Sequence, residues 1–261
     1  MPTYLDKILA VHRESARADR RDPGRLLAEA GRCAPPRGFA AALKAGPGLA
    51  VIAEIKRRSP SKGPLAPDLD SALLATAYAG AGAACLSVLT DSEFFGGSAD
   101  DLAEARAAVE LPVLRKDFTV SSADVCDARL MGADAVLLIA AALTAGELGE
   151  LLGTARRLGL DALVEVHDEA EAEVALGAGA EMIGVNQRDL VTFAVDTGRA
   201  VRVAGSLPGH VVRVAESGVC DRDDMRRLAD AGFDAVLVGE ALVTAPDPGA
   251  ALAALTAVEA S

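Results

Sequence analysis

Of the five lysines in this chain, Lys56, Lys62 and Lys116 fall directly after short apolar runs, while 21 arginines supply the cations elsewhere. Arginine stays charged at any working pH, whereas a partly desolvated lysine can release a proton. Lys56 and Lys116 therefore suit acid–base chemistry, the plain alternative being salt bridging at strand ends. Carboxylates stand at comparable points: Glu54, two residues before Lys56, then Glu165, Glu216 and Glu240. Asn186 and Arg188 follow another apolar run. Of the six phenylalanines, Phe94, Phe95 and Phe118 gather in two loops where a soluble protein is normally polar. They either plug the end of a core or wall a slot for a flat apolar ligand. Ser217-Gly218 and Gly239-Glu240 are glycine-containing turns whose backbone N–H groups suit a phosphate. Ser59 and Lys62 add a local positive field, which is all that focusing an anion requires.

These groups share one relation to the elements around them. Apolar runs recur at Leu49–Ile55, Ala84–Leu89, Pro112–Leu114, Ala135–Ile139, Ala162–Val166, Met182–Val185, Val211–Val214 and Ala235–Val238. Each is followed by a polar loop and an Ala/Leu/Arg/Glu helix, the signature of repeated βα units. Near-continuous apolar strands indicate a parallel sheet buried on both faces. Gly132-Ala-Asp-Ala-Val-Leu137 is echoed by Gly232-Phe-Asp-Ala-Val-Leu237 and, more loosely, by Gly179-Ala-Glu-Met-Ile-Gly184, each glycine ending a helix in a left-handed cap. Eight such units predict an α/β fold, a closed (β/α)8 TIM barrel over residues 49–261. A doubly wound open sheet is disfavoured because no GxGxxG follows the first strand. In a barrel, groups at the C-terminal ends of the strands converge on one mouth. Residues 1–48 lie outside the repeat and read as an N-terminal helical extension within one domain. Thr3 and Asp6 cap a first helix, a second lies near Arg25–Arg32, and the Pro35-Pro36 pair breaks regular structure beyond it.

Composition narrows the function. The 261 residues carry a net charge of −12, with 51% hydrophobic residues, mean hydropathy +0.27 and a pI near 4.7. Such a chain is too apolar to be disordered. Its apolar runs are too short to span a membrane, and its acidity makes it a poor partner for nucleic acid. With no secretory signal at the N-terminus, a soluble, cytoplasmic protein is expected. Cys33, Cys85, Cys126 and Cys220 are scattered, which argues against a disulfide framework or a zinc site. His12 and His210 sit in ordinary surroundings, and His167, between a strand and an acidic helix, reads as a cap or surface residue.

The stretch Val51-Ile-Ala-Glu-Ile-Lys-Arg-Arg-Ser-Pro-Ser-Lys-Gly63 closely resembles the first-strand signature of the indole-3-glycerol-phosphate synthase family. So do Phe95-Gly-Gly-Ser98, Pro112-Val-Leu-Arg-Lys-Asp-Phe118, Leu163-Val-Glu-Val166, Ile183-Gly-Val-Asn-Gln-Arg-Asp-Leu190 and Val214-Ala-Glu-Ser-Gly218, in barrel order over essentially the whole chain. The resemblance implies ring closure of 1-(2-carboxyphenylamino)-1-deoxyribulose 5-phosphate to indole-3-glycerol phosphate, with loss of carbon dioxide and water, in tryptophan biosynthesis. It implies that Lys116 is the general acid at the carbonyl, that Lys56 engages the substrate carboxylate and donates in dehydration, and that Glu165 is the general base. Glu54 and Glu216 match carboxylates that orient lysines and substrate hydroxyls, and Asn186 matches a residue that fixes the reacting groups. Arg188 resembles the arginine that supports the first and sixth loops. Ser59, Ser217, Gly218, Gly239 and Glu240 fall at phosphate positions. Phe95, Phe118, Leu137, Ile139 and Leu190 fall at aromatic-pocket positions. No metal or cofactor is implied, because the cyclised iminium is its own electron sink. The partner implied is a phosphorylated small molecule, met by a monomer or weak homodimer. Two positions depart from the family pattern: Glu240, whose carboxylate is expected to point away from the phosphate, and Gly96, where a longer polar residue is common. A phosphoribosylanthranilate isomerase-like barrel would carry a cysteine near Lys56, and an inactive barrel kept as a binding partner would have lost part of the lysine–glutamate set.

Overall fold

The computed structural model describes residues 3–189 and 191–256. Eight parallel strands close into a barrel: β1 (Ala50–Ile55), β2 (Cys85–Leu89), β3 (Val113–Lys116), β4 (Ala135–Ile139), β5 (Asp161–Val166), β6 (Met182–Asn186), β7 (Val212–Glu216) and β8 (Ala235–Val238). Each strand pairs with its neighbours in sequence, and β1 closes the ring on β8 through Ala50↔Ala235 to Ala53↔Val238. Every residue of β2, β4, β6 and β8 is buried, as the continuous apolar runs require. Three strands run further than their apolar stretches: β3 takes in Arg115 and Lys116, β6 takes in Asn186, and β7 takes in Glu216. The ladder continues because Lys116 still pairs with Leu89 and Asn186 with Glu216; only their polar character had marked them as loop.

Three helices precede the barrel: α1 (Tyr4–Ala18), α2 (Pro23–Ala30) and α3 (Phe39–Leu43). The Thr3–Asp6 capping box starts α1, with Thr3 Oγ1 accepting the Asp6 N–H at 3.1 Å and Asp6 accepting the Thr3 N–H at 2.7 Å. α2 begins two residues earlier than expected, because Asp22 caps it and Pro23 takes the first turn, where its missing N–H costs nothing. Along the barrel run α4 (Ser71–Gly80), α5 (Ser92–Phe95), α6 (Ala99–Ala108), α7 (Ser122–Leu130), α8 (Ala145–Arg157), α9 (Glu169–Gly177), α10 (Arg199–Ala204), α11 (Arg222–Asp230), α12 (Glu240–Val243) and α13 (Pro248–Thr256). None of the described helices is long and apolar enough to cross a membrane.

The Gly-x-Asp echo has a definite job. Gly132 and Gly232 take φ of 93° and 80° after α7 and α11, turning the chain back toward the barrel. Two residues later, Asp134 Oδ2 accepts the N–H of Val113 and Asp234 Oδ2 accepts that of Arg213, both at 2.8 Å. Each aspartate thus anchors the start of the preceding strand. Asp134 is fully buried and also takes the Arg37 N–H at 2.7 Å and the Arg106 guanidinium, tying the N-terminal segment to the barrel floor. Asp134→Ala should therefore cost about 3 kcal/mol or more, since it leaves buried donors and a cation unpaired. A urea midpoint within error of wild type would refute this.

Candidate active site

The strand ends open onto one cavity of about 600 Å³. β1 brings Glu54 and its loop brings Lys56 and Ser59; α5 brings Phe95; β3 and its loop bring Lys116 and Phe118. β4 adds Leu137 and Ile139, β5 adds Glu165, and β6 with its loop adds Asn186 and Arg188. β7 and its loop add Glu216, Ser217 and Gly218, and the end of β8 adds Gly239 and Glu240. These sixteen candidates from the sequence line the same space. Leu190 lies outside the described residues.

At the base of the cavity Glu54, Glu165 and Glu216 are all at least 96% buried. Lys116 Nζ sits 3.1 Å from Glu165 Oε2 and 3.4 Å from Glu216 Oε2, and Lys56 Nζ pairs with Glu54 Oε1. Asn186 Nδ2 donates to the other Glu165 oxygen at 3.1 Å. Burial works against the charge of Lys116, but Glu165, Glu216 and Glu54 outweigh it and hold the ammonium above its ordinary pKa. Lys116 is thus firmly protonated, where desolvation alone pointed the other way. Burial likewise opposes the charge of Glu165, yet Lys116, His167 and Asn186 keep its carboxyl below the ordinary value. Glu216 goes up to about 7, through burial and the repulsion of Glu165 and Glu54. One cavity floor therefore holds an ionised carboxylate, a proton-bearing ammonium and a carboxyl that titrates near neutrality. Two carboxylates sit where glycine leaves room. A Cβ on Gly184 would meet the Glu216 carboxylate, and one on Gly239 would meet that of Glu54.

One wall is apolar. Phe95 and Phe118 pack on each other at a tilt of 38°, ring centroids 6.1 Å apart, and with Leu137 and Ile139 they wall a slot for a flat ligand. Phe94 turns away to pack edge-on against Tyr4. The roof comes from Tyr4, Leu5 and Ile8 of α1, which carried no signal of a site in the sequence. His12 on the same helix is not in ordinary surroundings. Its Nε2 lies 2.9 Å from Asp91 Oδ2 and 3.9 Å from Asp117 Oδ1, latching α1 to the loops that carry Phe95 and Phe118.

The opposite end suits an anion. Ser217 and Gly218 take consecutive left-handed conformations, φ 67° and 75°, the first unusual for a residue with a side chain. Gln187 Nε2 donates to the Ser217 carbonyl at 2.7 Å and braces the turn. Glu240 lines the cavity, and its carboxylate pairs with two cations, Lys62 at 2.5 Å and Arg188 at 3.5 Å. Arg188 also donates to the Phe193 carbonyl at 3.3 Å within the loop after β6, and its pair with Glu240 ties that loop to the one after β8. A Cβ at Gly218 would stand 2.7 Å from Val195 Cγ1 in a conformation that L side chains avoid. Gly218→Ala should accordingly raise KM about tenfold or more while kcat changes less, a distortion worth about 1.4 kcal/mol at the anion end. An unchanged KM with an intact fold would move the anion site elsewhere. His167, expected at a cap or on the surface, instead turns its ring inward. Its side chain is 13% exposed, with Nε2 3.7 Å from Glu165 Oε1.

The family model for indole-3-glycerol phosphate synthase matches residues 5–255. The chain belongs to that family. It is 56% identical over 230 residues to indole-3-glycerol phosphate synthase 2 of Streptomyces coelicolor, covering 88% of this chain and 89% of that protein. To the indole-3-glycerol phosphate synthase of Mycobacterium ulcerans it is 50% identical over 255 residues, 97% of this chain and 93% of the relative. Among solved structures, a 3-hexulose-6-phosphate synthase aligns with TM-score 0.63 at 16% identity, over 79% of this chain and 98% of that one. The N-acetylmannosamine-6-phosphate 2-epimerase of Clostridium perfringens aligns with TM-score 0.61 at 15% identity, over 77% and 89%. At those identities the likeness concerns the barrel fold alone. The synthase family is a TIM-barrel family, and the closed eight-stranded barrel agrees with it.

Proposed function

We propose that this chain closes the indole ring, converting 1-(2-carboxyphenylamino)-1-deoxyribulose 5-phosphate to indole-3-glycerol phosphate. The observation that carries the reading is one cavity joining a Phe95–Phe118 slot, a buried lysine–carboxylate cluster and an anion-suited turn. The anthranilate ring enters the slot, and the phosphate rests on the loops after β7 and β8, near Ser59, Ser217, Gly218, Gly239 and Glu240. Lys116 Nζ gives its proton to the carbonyl oxygen as the ring carbon attacks. Lys56 holds the substrate carboxylate, which leaves as carbon dioxide and returns its electron pair to the cyclised iminium. The new hydroxyl then departs as water after a second protonation, to which Lys56 contributes, while Glu165 removes a proton from the adjacent carbon. Glu54 and Glu216 orient the lysines and substrate hydroxyls, Asn186 fixes Glu165, and Arg188 supports the loops. Residues 1–48 work as part of the same domain, since α1 roofs the cavity and Arg37 bonds Asp134. A monomer or weak homodimer in the cytoplasm fits an acidic chain whose exposed large apolar residues, such as Leu73 and Val174, lie on separate elements.

The reading is tested by supplying this carboxyphenylamino sugar phosphate to the purified protein and following indole fluorescence together with carbon dioxide. One equivalent of each is expected per turnover. No indole and no carbon dioxide from this substrate, with isomerisation of phosphoribosyl anthranilate when that is supplied instead, would overturn it.

A further inference from the structure

Ring closure as proposed above consumes protons unevenly. The carbonyl oxygen takes two protons before it leaves as water, one proton returns from the adjacent carbon, and the carboxylate departs as neutral carbon dioxide. One proton is therefore drawn from solvent in each turnover. Lys116 spends its proton at the first step, before Glu165 has collected any, and both line the cavity that the substrate fills in that reading.

A second cavity, of about 430 Å³, opens to solvent at the loops after β5 and β6. His167 lines it with Asp168, Glu169, Glu171, Asp189, Arg199 and Arg202. Glu171 Oε2 takes the His167 backbone N–H at 2.8 Å and faces Nδ1 at 3.1 Å. A carboxylate only accepts, so Nδ1 carries a proton and the ring is held by that edge. The other edge is buried: Nε2 has no hydrogen-bond partner and lies 3.7 Å from Glu165 Oε1. Hydrogen bonds of this kind are commonly long in an empty site and tighten when substrate binds. Glu165 in turn touches Lys116 with its second oxygen, so second cavity, His167, Glu165 and Lys116 form one continuous chain.

Resting on the ring-closure reading, we propose that His167 recharges Lys116 through Glu165 with the proton drawn from the second cavity. In the step, the Nε2–H bond of the imidazolium breaks and its proton passes to the Glu165 carboxylate. The Glu165 carboxyl turns about its Cγ–Cδ bond and gives that same proton to the neutral amine of Lys116. The ring of His167, left neutral with its proton on Nδ1, turns about Cβ–Cγ so that Nε2 takes a proton from solvent in the second cavity, and then turns back. Lys116 is an ammonium again before the hydroxyl leaves, and shares the second protonation with Lys56. The charged groups around the ring favour this use. Burial disfavours the imidazolium, yet the bond to Glu171 and the charges of Glu165 and Glu171 outweigh burial and the repulsion of Arg199, so the pKa lies above the ordinary histidine value. Asp168, Glu169 and Asp189 add negative charge at the cavity, against Arg202. His167 acts through Glu165 and touches no substrate.

The relay separates two steps that a purely structural role would slow together. In stopped-flow turnover of His167→Ala, carbon dioxide release should keep its wild-type rate while indole fluorescence appears about tenfold later, a typical loss for one proton-transfer group. Imidazole in the medium should restore the fluorescence rate in a saturable way and leave wild type unchanged. His167→Gln, which fills the space with no titratable proton, should show the same split and no rescue. Wild-type rates for both variants would overturn the relay, as would equal slowing of both signals with no response to imidazole. A wild type that forms no indole would instead sink the ring-closure reading, and the relay with it.

Discussion

Lys116→Met is expected to lower kcat by about 10²-fold or more, the usual scale for losing a positioned proton donor. The side chain is 15% exposed and lies against Glu165 and Glu216, so its ammonium is held where a bound carbonyl would meet it. Those carboxylates raise its pKa. Substrate must then help release the proton, by bringing a carbonyl oxygen that becomes basic as the ring carbon attacks. Lys116→Arg sharpens the expectation. It returns the positive charge to Glu165 and Glu216 but does not give up a proton, so it should stay close to Lys116→Met in kcat. Steady-state rates measured with substrate in excess check both variants, and one that keeps most of the wild-type turnover would contradict the assignment.

Glu165→Gln should also collapse kcat, about 10²-fold or more, while KM changes little. Glutamine keeps the shape and the hydrogen bond from Asn186 but accepts no proton. The pH profile carries the second half of the expectation. Glu165 is held below the ordinary glutamate value, so activity that depends on its ionised form is present above that low pKa and falls as pH drops through it. The acid limb owed to Glu165 thus lies on the acid side of pH 4.5, and should vanish in Glu165→Gln. Glu216, raised to about 7, would place a limb near neutrality instead. If Glu216→Gln removes activity and its acid limb while Glu165→Gln retains both, the base is Glu216.

The barrel was legible because apolar runs and Gly-x-Asp punctuation recur at the period of a βα unit. The strand ends were less legible. Arg115, Lys116, Asn186 and Glu216 are polar and read as loop, although their backbones still pair within the sheet. Most of the cavity lining was reachable from motif positions, because each strand end delivers its next side chains to the same mouth. The features that escaped were set by contacts between distant segments. The roof from Tyr4, Leu5 and Ile8 depends on how α1 crosses the barrel, and the His12 latch joins residues 79 positions apart. The pairing of Glu240 with Lys62 and Arg188 is not legible in the sequence, because those cations sit on other loops. His167 was set aside because local sequence places it beside a helix cap, whereas its ring turns toward Glu165 on the strand just before it.

The central claim is that one mouth holds the phosphate, the aromatic ring and the reacting carbonyl at the same time. A crystal structure with the substrate analogue reduced at its carbonyl to an alcohol tests it most directly. The account predicts the phosphate at the backbone N–H groups after β7 and β8, the anthranilate ring in the Phe95–Phe118 slot, and the new hydroxyl about 3 Å from Lys116 Nζ, within hydrogen-bond reach. A phosphate bound away from Ser217, Gly218 and Gly239, or a hydroxyl out of reach of Lys116, would contradict it.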